Sequence, residues 1–310
     1  MRAPCLIALL ALPCSAYDLT GRVEPPGTYA VFLNGASTPF AASTQSDDAG
    51  RFEFRKLAEG AYTLVLSTSA RGELRRTIEL GPGTADSHGR LKITVRIDNS
   101  RLQSDRARVS GATVSAKSLA IPEGALRQYE EAQRCLSRRD SNCAVKRLNR
   151  ATRLAPRFAA AWNQLGTIAY QTAHYDEAEA DFRRALDGDS ESYEPLVNLG
   201  GVLLNLGRPE EALEYNKRAV LRRPSDALAN SQLGLTYLKL NRLGPAEQYL
   251  KTAIELDRAH FSYPQLALAN IYLARGDRQA AAGTLRDFLA QHPDAPEAAR
   301  VRTAIEELTH

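Results

Sequence analysis

The sequence predicts two architectures in series: an all-β sandwich on the N-terminal side, followed by an all-α superhelical solenoid. Three observations predict it. Apolar residues alternate with period two from Tyr17 to about Asp98, and the period becomes helical after Pro122. Within the helical part, "AWNQLGTIAYQTAHYDEAEADFRRAL" from Ala161 is answered 34 positions later by "PLVNLGGVLLNLGRPEEALEYNKRAV", and self-similarity at such a period is the mark of stacked repeats.

The chain has 310 residues, 44% hydrophobic and 25% charged, a soluble globular composition with room for two domains. Lys and Arg number 40 against 36 Asp and Glu. No basic run is interleaved with aromatics, which excludes a nucleic-acid footprint. The opening "MRAPCLIALLALPCSA" has one positive charge, an apolar run from Cys5 to Leu12 and small residues before Tyr17, so residues 1–16 are expected to be a secretory signal peptide cleaved after Ala16. No later stretch reaches the roughly 20 apolar residues a membrane span needs. The mature chain is therefore expected to be periplasmic or secreted. Anchoring through a lipid on Cys14 is the rival reading, and Pro13 opposes it, because bacterial lipoprotein signals resemble Leu-Ala-Gly-Cys.

Residues 17–98 supply the sandwich. "RFEF" alternates charge with Phe, "YTLVL" places Tyr62, Leu64 and Leu66 on one face, and "RLKITVRID" aligns Leu91, Ile93, Val95 and Ile97. Turn material at 24–27, 47–50, 58–60 and 81–83 separates six or seven strands. The run "DDAGRFEFRKLAEGAYTLVL", after "LTGRV" and "VFLNG", resembles the carboxypeptidase regulatory-like domain, with Asp48, Gly50, Phe52, Leu57, Gly60 and Tyr62 at its hallmark places. The resemblance implies a transthyretin-like accessory module with no catalytic residues. Asp47, Asp48 and Glu53 offer oxygen ligands, but Asp before a strand is explained by its bonds to the turn backbone. Residues 99–122, rich in Ser and Arg, are expected to be a linker that docks against the second domain.

In the helical part Ala recurs at 144, 178, 212, 246 and 281, and again at 151, 185, 219 and 253. Leu165-Gly166, Leu199-Gly200 and Leu233-Gly234 keep the same register, and Pro156, Pro224 and Pro293 mark unit ends, with Ser190 and Arg258 substituting in two units. This resembles the tetratricopeptide repeat, which Trp162, Leu165, Gly166, Ala178, Phe182 and Ala185 fit closely. The resemblance implies five helical hairpins within 123–295 (125–158, 159–192, 193–226, 227–261 and 262–295), stacked because one hairpin cannot bury its apolar face alone. Residues 296–310 are expected to form a capping helix.

Such a solenoid has a concave face built from the first helix of each unit, where an extended peptide can lie. The sixth residue of successive units is Glu130, Gln164, Asn198, Gln232 and Ala267, so three consecutive units present an amide, whose donors and acceptor suit the backbone of a bound chain. Tyr170, Gln171, Asn205 and Lys239 are expected to face the same groove and supply selectivity. A plainer reading is that these polar residues only solvate a concave surface. The family's clamp for carboxylate tails is not expected, since Tyr129 and Gln133 hold the places where it needs lysine and asparagine. Cys135 and Cys143 flank the first interhelical turn, where a disulfide is geometrically possible and two small buried apolar residues are the alternative.

Chemistry is absent from the pattern. The five His, at 88, 174, 260, 292 and 310, have no zinc-type spacing, and no nucleophile elbow, phosphate loop or dinucleotide fingerprint occurs. Neither metal nor cofactor is expected, and no enzyme. The sequence points to an exported, non-enzymatic scaffold binding a protein or peptide in the solenoid groove. The alternative is a cell-surface or carbohydrate-binding attachment protein, in which exposed aromatics among Tyr29, Phe32 and Phe40 bind and the solenoid is a spacer.

Overall fold

The computed structural model describes residues 16–68, 72–97 and 121–309. The expected signal peptide, Cys14 and nearly all of the expected linker lie outside the described residues. Among the described residues seven strands form two sheets. In the first, β1 (Tyr17–Glu24) pairs antiparallel with β4 (Arg51–Leu57) and parallel with β7 (Arg90–Arg96). The second runs β3 (Ala41–Gln45), β2 (Ala30–Gly35), β5 (Gly60–Thr68), β6 (Gly72–Leu80), all antiparallel.

Alternation decides which face is core. Leu19, Val23, Val31, Leu33, Phe52, Phe54, Tyr62, Leu64, Leu66, Ile78 and Leu80 interdigitate between the sheets. Phe32, Asn34, Thr63, Glu73, Arg75, Thr77 and Glu79 are their out-of-phase neighbours, on the outer face of the second sheet. Asp47 closes the turn before β4, its Oδ1 accepting from the amides of Ala49 and Arg51 at 3.0 and 2.8 Å. The Tyr62 hydroxyl donates to Ala58 O across the next turn at 2.9 Å.

Eleven helices follow among the described residues. They pair as α1 (Glu123–Ser137) with α2 (Ser141–Leu154), α3 (Ala159–Gln171) with α4 (Tyr175–Gly188), and α5 (Tyr193–Asn205) with α6 (Pro209–Arg222). Next come α7 (Ala227–Lys239) with α8 (Leu243–Leu256), and α9 (Pro264–Ala274) with α10 (Arg278–Gln291). The single α11 (Ala298–Thr309) buries Ala298 and Val301 against the last pair.

The repeated glycines let the two helices of a hairpin touch. A Cβ at Gly166 would sit 2.8 Å from the Phe182 ring, one at Gly234 2.8 Å from Leu250, and one at Gly200 1.9 Å from Asn216 Oδ1. The three opposing residues are themselves 34 apart, so one close approach is written three times. The turn between paired helices repeats too: Arg139, Ala173, Gly207, Asn241 and Gly276 all take positive φ.

Junctions between units share a hydrogen bond. Trp162 Nε1 donates to Pro156 O at 2.8 Å, Asn230 Nδ2 to Pro224 O at 2.8 Å, and Gln265 Nε2 to Arg258 O at 2.6 Å. In the third unit Leu196 has no donor to offer, and Arg218 donates to Ser190 O instead. The same carbonyl of every junction is thus satisfied by whatever donor the unit provides.

Cys135 and Cys143 come together across the first hairpin with Cα atoms 5.7 Å apart, inside the range of about 4.4–6.8 Å that a disulfide spans. We propose that they are bonded. Changing both to Ser is then expected to lower the stability of the first unit by about 2–3 kcal/mol, and thiol alkylation of unreduced protein should label neither cysteine; labelling of both overturns the bond. Gly200→Ala is expected to cost about 1–3 kcal/mol through overpacking, read as a lowered unfolding midpoint by circular dichroism.

Candidate functional site

The concave face of the solenoid is covered by the chain's own sandwich. Period-two alternation in β6 places Glu73, Arg75, Thr77 and Glu79 on the outer face of the second sheet, and these side chains meet the solenoid in order. Arg75 reaches Glu194 at 2.8 Å and Asp226 at 3.7 Å, while Arg223 reaches Glu73 at 3.0 Å and Glu194 at 3.2 Å. The Thr77 amide donates to Asp257 Oδ2 at 2.8 Å. Glu79 Oε2 lies 2.8 Å from Nδ1 of the buried His292, and the Gly83 amide donates to Asp294 Oδ2 at 2.7 Å. At the other end of the sheet, Gln171 Nε2 donates to Gly35 O at 2.9 Å, Ala41 packs against the first hairpin, and the Arg139 guanidinium lies 5.5 Å from the centre of the Phe40 ring.

Charge in the middle of this contact is paired within the contact, with the two guanidiniums of Arg75 and Arg223 standing against the three carboxylates of Glu73, Glu194 and Asp226. Tyr193, 5% exposed, lies beneath both guanidiniums, with Arg223 at 4.3 Å and Arg75 at 5.5 Å from its ring centre. Burial opposes the charge on Arg75, but Asp226 and Glu194 outweigh it and hold its pKa above the ordinary arginine value. Burial likewise pushes the Glu73 carboxyl up, yet Arg75 and Arg223 more than offset it and hold it below its ordinary 4.5. His260 is kept neutral-leaning by burial, which lowers its pKa, and its Nδ1 lies 2.7 Å from Ser262 Oγ.

Between the contact points remains a chamber of about 480 Å³. Its floor is the concave face at α3, α5 and α7, its roof the outer face of the second sheet. Gln164, Asn198 and Gln232 all border it, as do Tyr170 and Gln171. The amides are braced from neighbouring residues: Asn198 Nδ2 donates to Asn163 Oδ1 at 3.2 Å, and Gln164 Oε1 accepts from Gln133 at 3.5 Å. Asn205 and Lys239, the other two residues expected at the groove, do not line this chamber. Each is the last residue of its helix, exposed and outside the chamber, with Asn205 bonded to the Tyr170 hydroxyl at 3.1 Å.

From the roof come Phe32, 41% exposed, with Asn34, Thr63 and Val65. Of the three aromatics considered for a sandwich surface, Phe32 alone faces outward in this way. Phe40 is in the core, edge-on to Tyr62 at 5.6 Å, and Tyr29 packs against the core with its hydroxyl donating to Pro25 O. No cluster of three or more His, Cys, Asp or Glu able to hold a metal occurs among the described residues.

The tetratricopeptide repeat model matches residues 129–193, 164–227 and 197–260, and a second model of the same repeat matches 264–305, together more than half of the chain. The chain belongs to the tetratricopeptide repeat family. Proteins of this family are in general scaffolds for protein interaction. Among curated proteins the chain is similar to anaphase-promoting complex subunit 3 of Schizosaccharomyces pombe, 26% identical over 161 residues, 52% of this chain and 24% of that one. It is also similar to the Homo sapiens cell division cycle protein 16 homolog, 29% identical over 128 residues, 38% of this chain and 21% of that one. The chain thus spans about a quarter or less of the length of these relatives.

Among solved structures it is similar to PilW, a widely conserved type IV pilus biogenesis factor (22% identity, TM-score 0.52, 60% of this chain and 91% of that chain). It is similar also to PilF of Pseudomonas aeruginosa (20%, 0.52, 63% and 86%) and to MamA from residue 41 onward of Desulfovibrio magneticus RS-1 (22%, 0.50, 57% and 99%). At these identities the likeness is one of fold.

The Glu73 carboxylate gives the docked contact a pH dependence of known sign. A carboxyl whose pKa is depressed on folding contributes stability that is full above its ordinary 4.5 and is lost as pH falls through the lower folded value. Docking of sandwich on solenoid is expected to persist from neutral pH to about 4.5 and loosen below it, seen as an increased radius of gyration by small-angle scattering. In Glu73→Gln that step should shrink.

Proposed function

We propose that this chain is an exported, non-enzymatic interaction scaffold that holds a peptide or protein partner in the chamber on its concave face. The observation that carries the reading is the row of Gln164, Asn198 and Gln232: one amide in the same place of three successive units, all bordering one partly open chamber. An amide both donates and accepts, so a row of them addresses the backbone of a bound segment whatever its sequence. Tyr170 and Gln171 add side-chain selectivity.

Export rests on the apolar run Cys5–Leu12 with its preceding Arg2 and on the small residues before Tyr17. Among the described residues no helix is long and apolar enough to cross a membrane, in keeping with a periplasmic or secreted protein. For the sandwich we retain the carboxypeptidase regulatory-like reading. Gly50 takes a φ of 76° at the turn, Phe52 and Tyr62 are buried, and the Tyr62 hydroxyl ties the following corner, all roles such hallmark residues would serve.

Crosslinking and pull-down from a bacterial envelope extract tests the proposal, comparing the protein with a variant carrying Gln164, Asn198 and Gln232 all changed to Ala. Circular dichroism first establishes that both are folded. Partners held by the unmodified protein are expected to be lost from the variant. Equal capture by both removes the groove from the explanation.

A further inference from the structure

The roof of the chamber bears on what it can hold, given that the concave face is a binding surface as proposed above. The sandwich takes both ends of the groove for itself. Gly35, Phe40 and Ala41 rest on the first two hairpins, and Thr77, Glu79 and Gly83 rest on the loops from Asp257 to Asp294. An extended peptide running the length of the solenoid therefore has no continuous path. What remains, about 480 Å³, falls in the roughly 300–1,000 Å³ range of sites that enclose a drug-sized ligand, about the bulk of three or four residues.

Most of the charges around this space are already paired with one another. Arg75 and Arg223 are committed to Glu73, Glu194 and Asp226, and Asp257 accepts from Thr77. An ionised ligand group would have to compete with these pairs in a partly buried setting, where leaving a charge unmatched is costly. The groups at the centre are neutral: Gln164, Asn198 and Gln232 on the floor, Asn34, Thr63 and the half-exposed ring of Phe32 on the roof. Arg76 borders the same space from the other face of β6, which makes an acidic ligand the natural rival.

We infer that the chamber is a composite site for a short, uncharged polar segment of a partner protein, three or four residues long, read simultaneously by the amide row of the solenoid and by Phe32 and Thr63 of the sandwich. The sandwich is then a specificity-determining wall of the site. Phe32 on the roof and Tyr170 on the floor offer rings to side chains of the bound segment while the amide row addresses its backbone.

Selection of a phage-displayed library of random heptapeptides on the full chain provides the test, followed by calorimetry of the selected peptides. The expected consensus spans three or four adjacent positions without charge. Phe32→Ala, which removes a partly exposed ring and leaves the core untouched, is expected to weaken binding about tenfold or more, the equivalent of burying one aromatic side chain. Thr63→Glu and the triple amide variant are expected to weaken it at least as much, with unfolding midpoints of all variants checked by circular dichroism. Peptides sensitive to the amide variant and indifferent to Phe32→Ala and Thr63→Glu overturn the composite site and leave the groove reading standing. Peptides indifferent to all three overturn both. An acidic consensus, a selection that yields no peptide above background, or neutral oligosaccharides that bind in a Phe32-dependent way where peptides do not, would each overturn the inference.

Discussion

Two unrelated periods are brought into register in this molecule, and the rest of the structure depends on the match. A strand repeats its outward side chain every two residues; the solenoid repeats its junction loop every 34 or 35. Along β6, Arg75, Thr77 and Glu79 meet junction residues Asp226, Asp257 and His292 of three successive units. One strand thus staples three hairpins that otherwise touch only their neighbours. A repeat stack held by nearest-neighbour contacts alone can fray unit by unit. Here the third to fifth units share a common brace, and the angle between sheet and solenoid is set by separate contacts spread along the groove.

The ion pairs of that contact leave the amide row at the centre of the chamber as its neutral part. Arg75 and Arg223 against Glu73, Glu194 and Asp226 would be a poor source of net stability if each ion were only half matched, because desolvation offsets much of the attraction. They form instead a connected set above the Tyr193 ring, in which each guanidinium meets two or more carboxylates. Such a set contributes orientation: a one-residue slip of β6 would present Leu74 and Arg76 to the carboxylates and turn Arg75 into the sandwich core. Register is therefore specified twice, by the core and by the ion pairs.

Both architectures were legible because each is written in local periodicity. The alternation through Tyr62, Leu64 and Leu66, and the 34-residue recurrence of Gly166, Gly200 and Gly234, each report on contacts within a strand pair or a hairpin. The amide row was legible for the same reason. The docking was not. Glu73, Arg75, Thr77 and Glu79 alternate with apolar residues in the way any solvated sheet face does, and their partners lie more than 100 positions away. His292 and Asp257 carry no motif, although both stand at the same place of their units as Arg223, one step after the second helix. That shared place was the available signal, and it acquires meaning only once a strand is known to cross it.

The pair Gly200-Gly201 separates what the fold needs from what the site needs. Gly200 is required by packing, since a Cβ there would collide with Asn216, which is fully buried and donates to Thr236 Oγ1 at 2.9 Å. Asn216 in this way pins α7 one turn from Gln232. Gly201 has no such neighbour from the second helix; a Cβ at 201 would point instead at the Gln232 amide, 3.1 Å from Nε2, and Gly201 borders the chamber. In the adjoining units the same position holds Thr167 and Leu235, so helix pairing does not demand glycine there. Its effect is to leave the Gln232 amide free to turn toward the space under the sheet. A residue whose absence of a side chain serves the chamber, beside one whose absence serves the hairpin, is what a site built into the repeat would require and what a merely solvated concave surface would not.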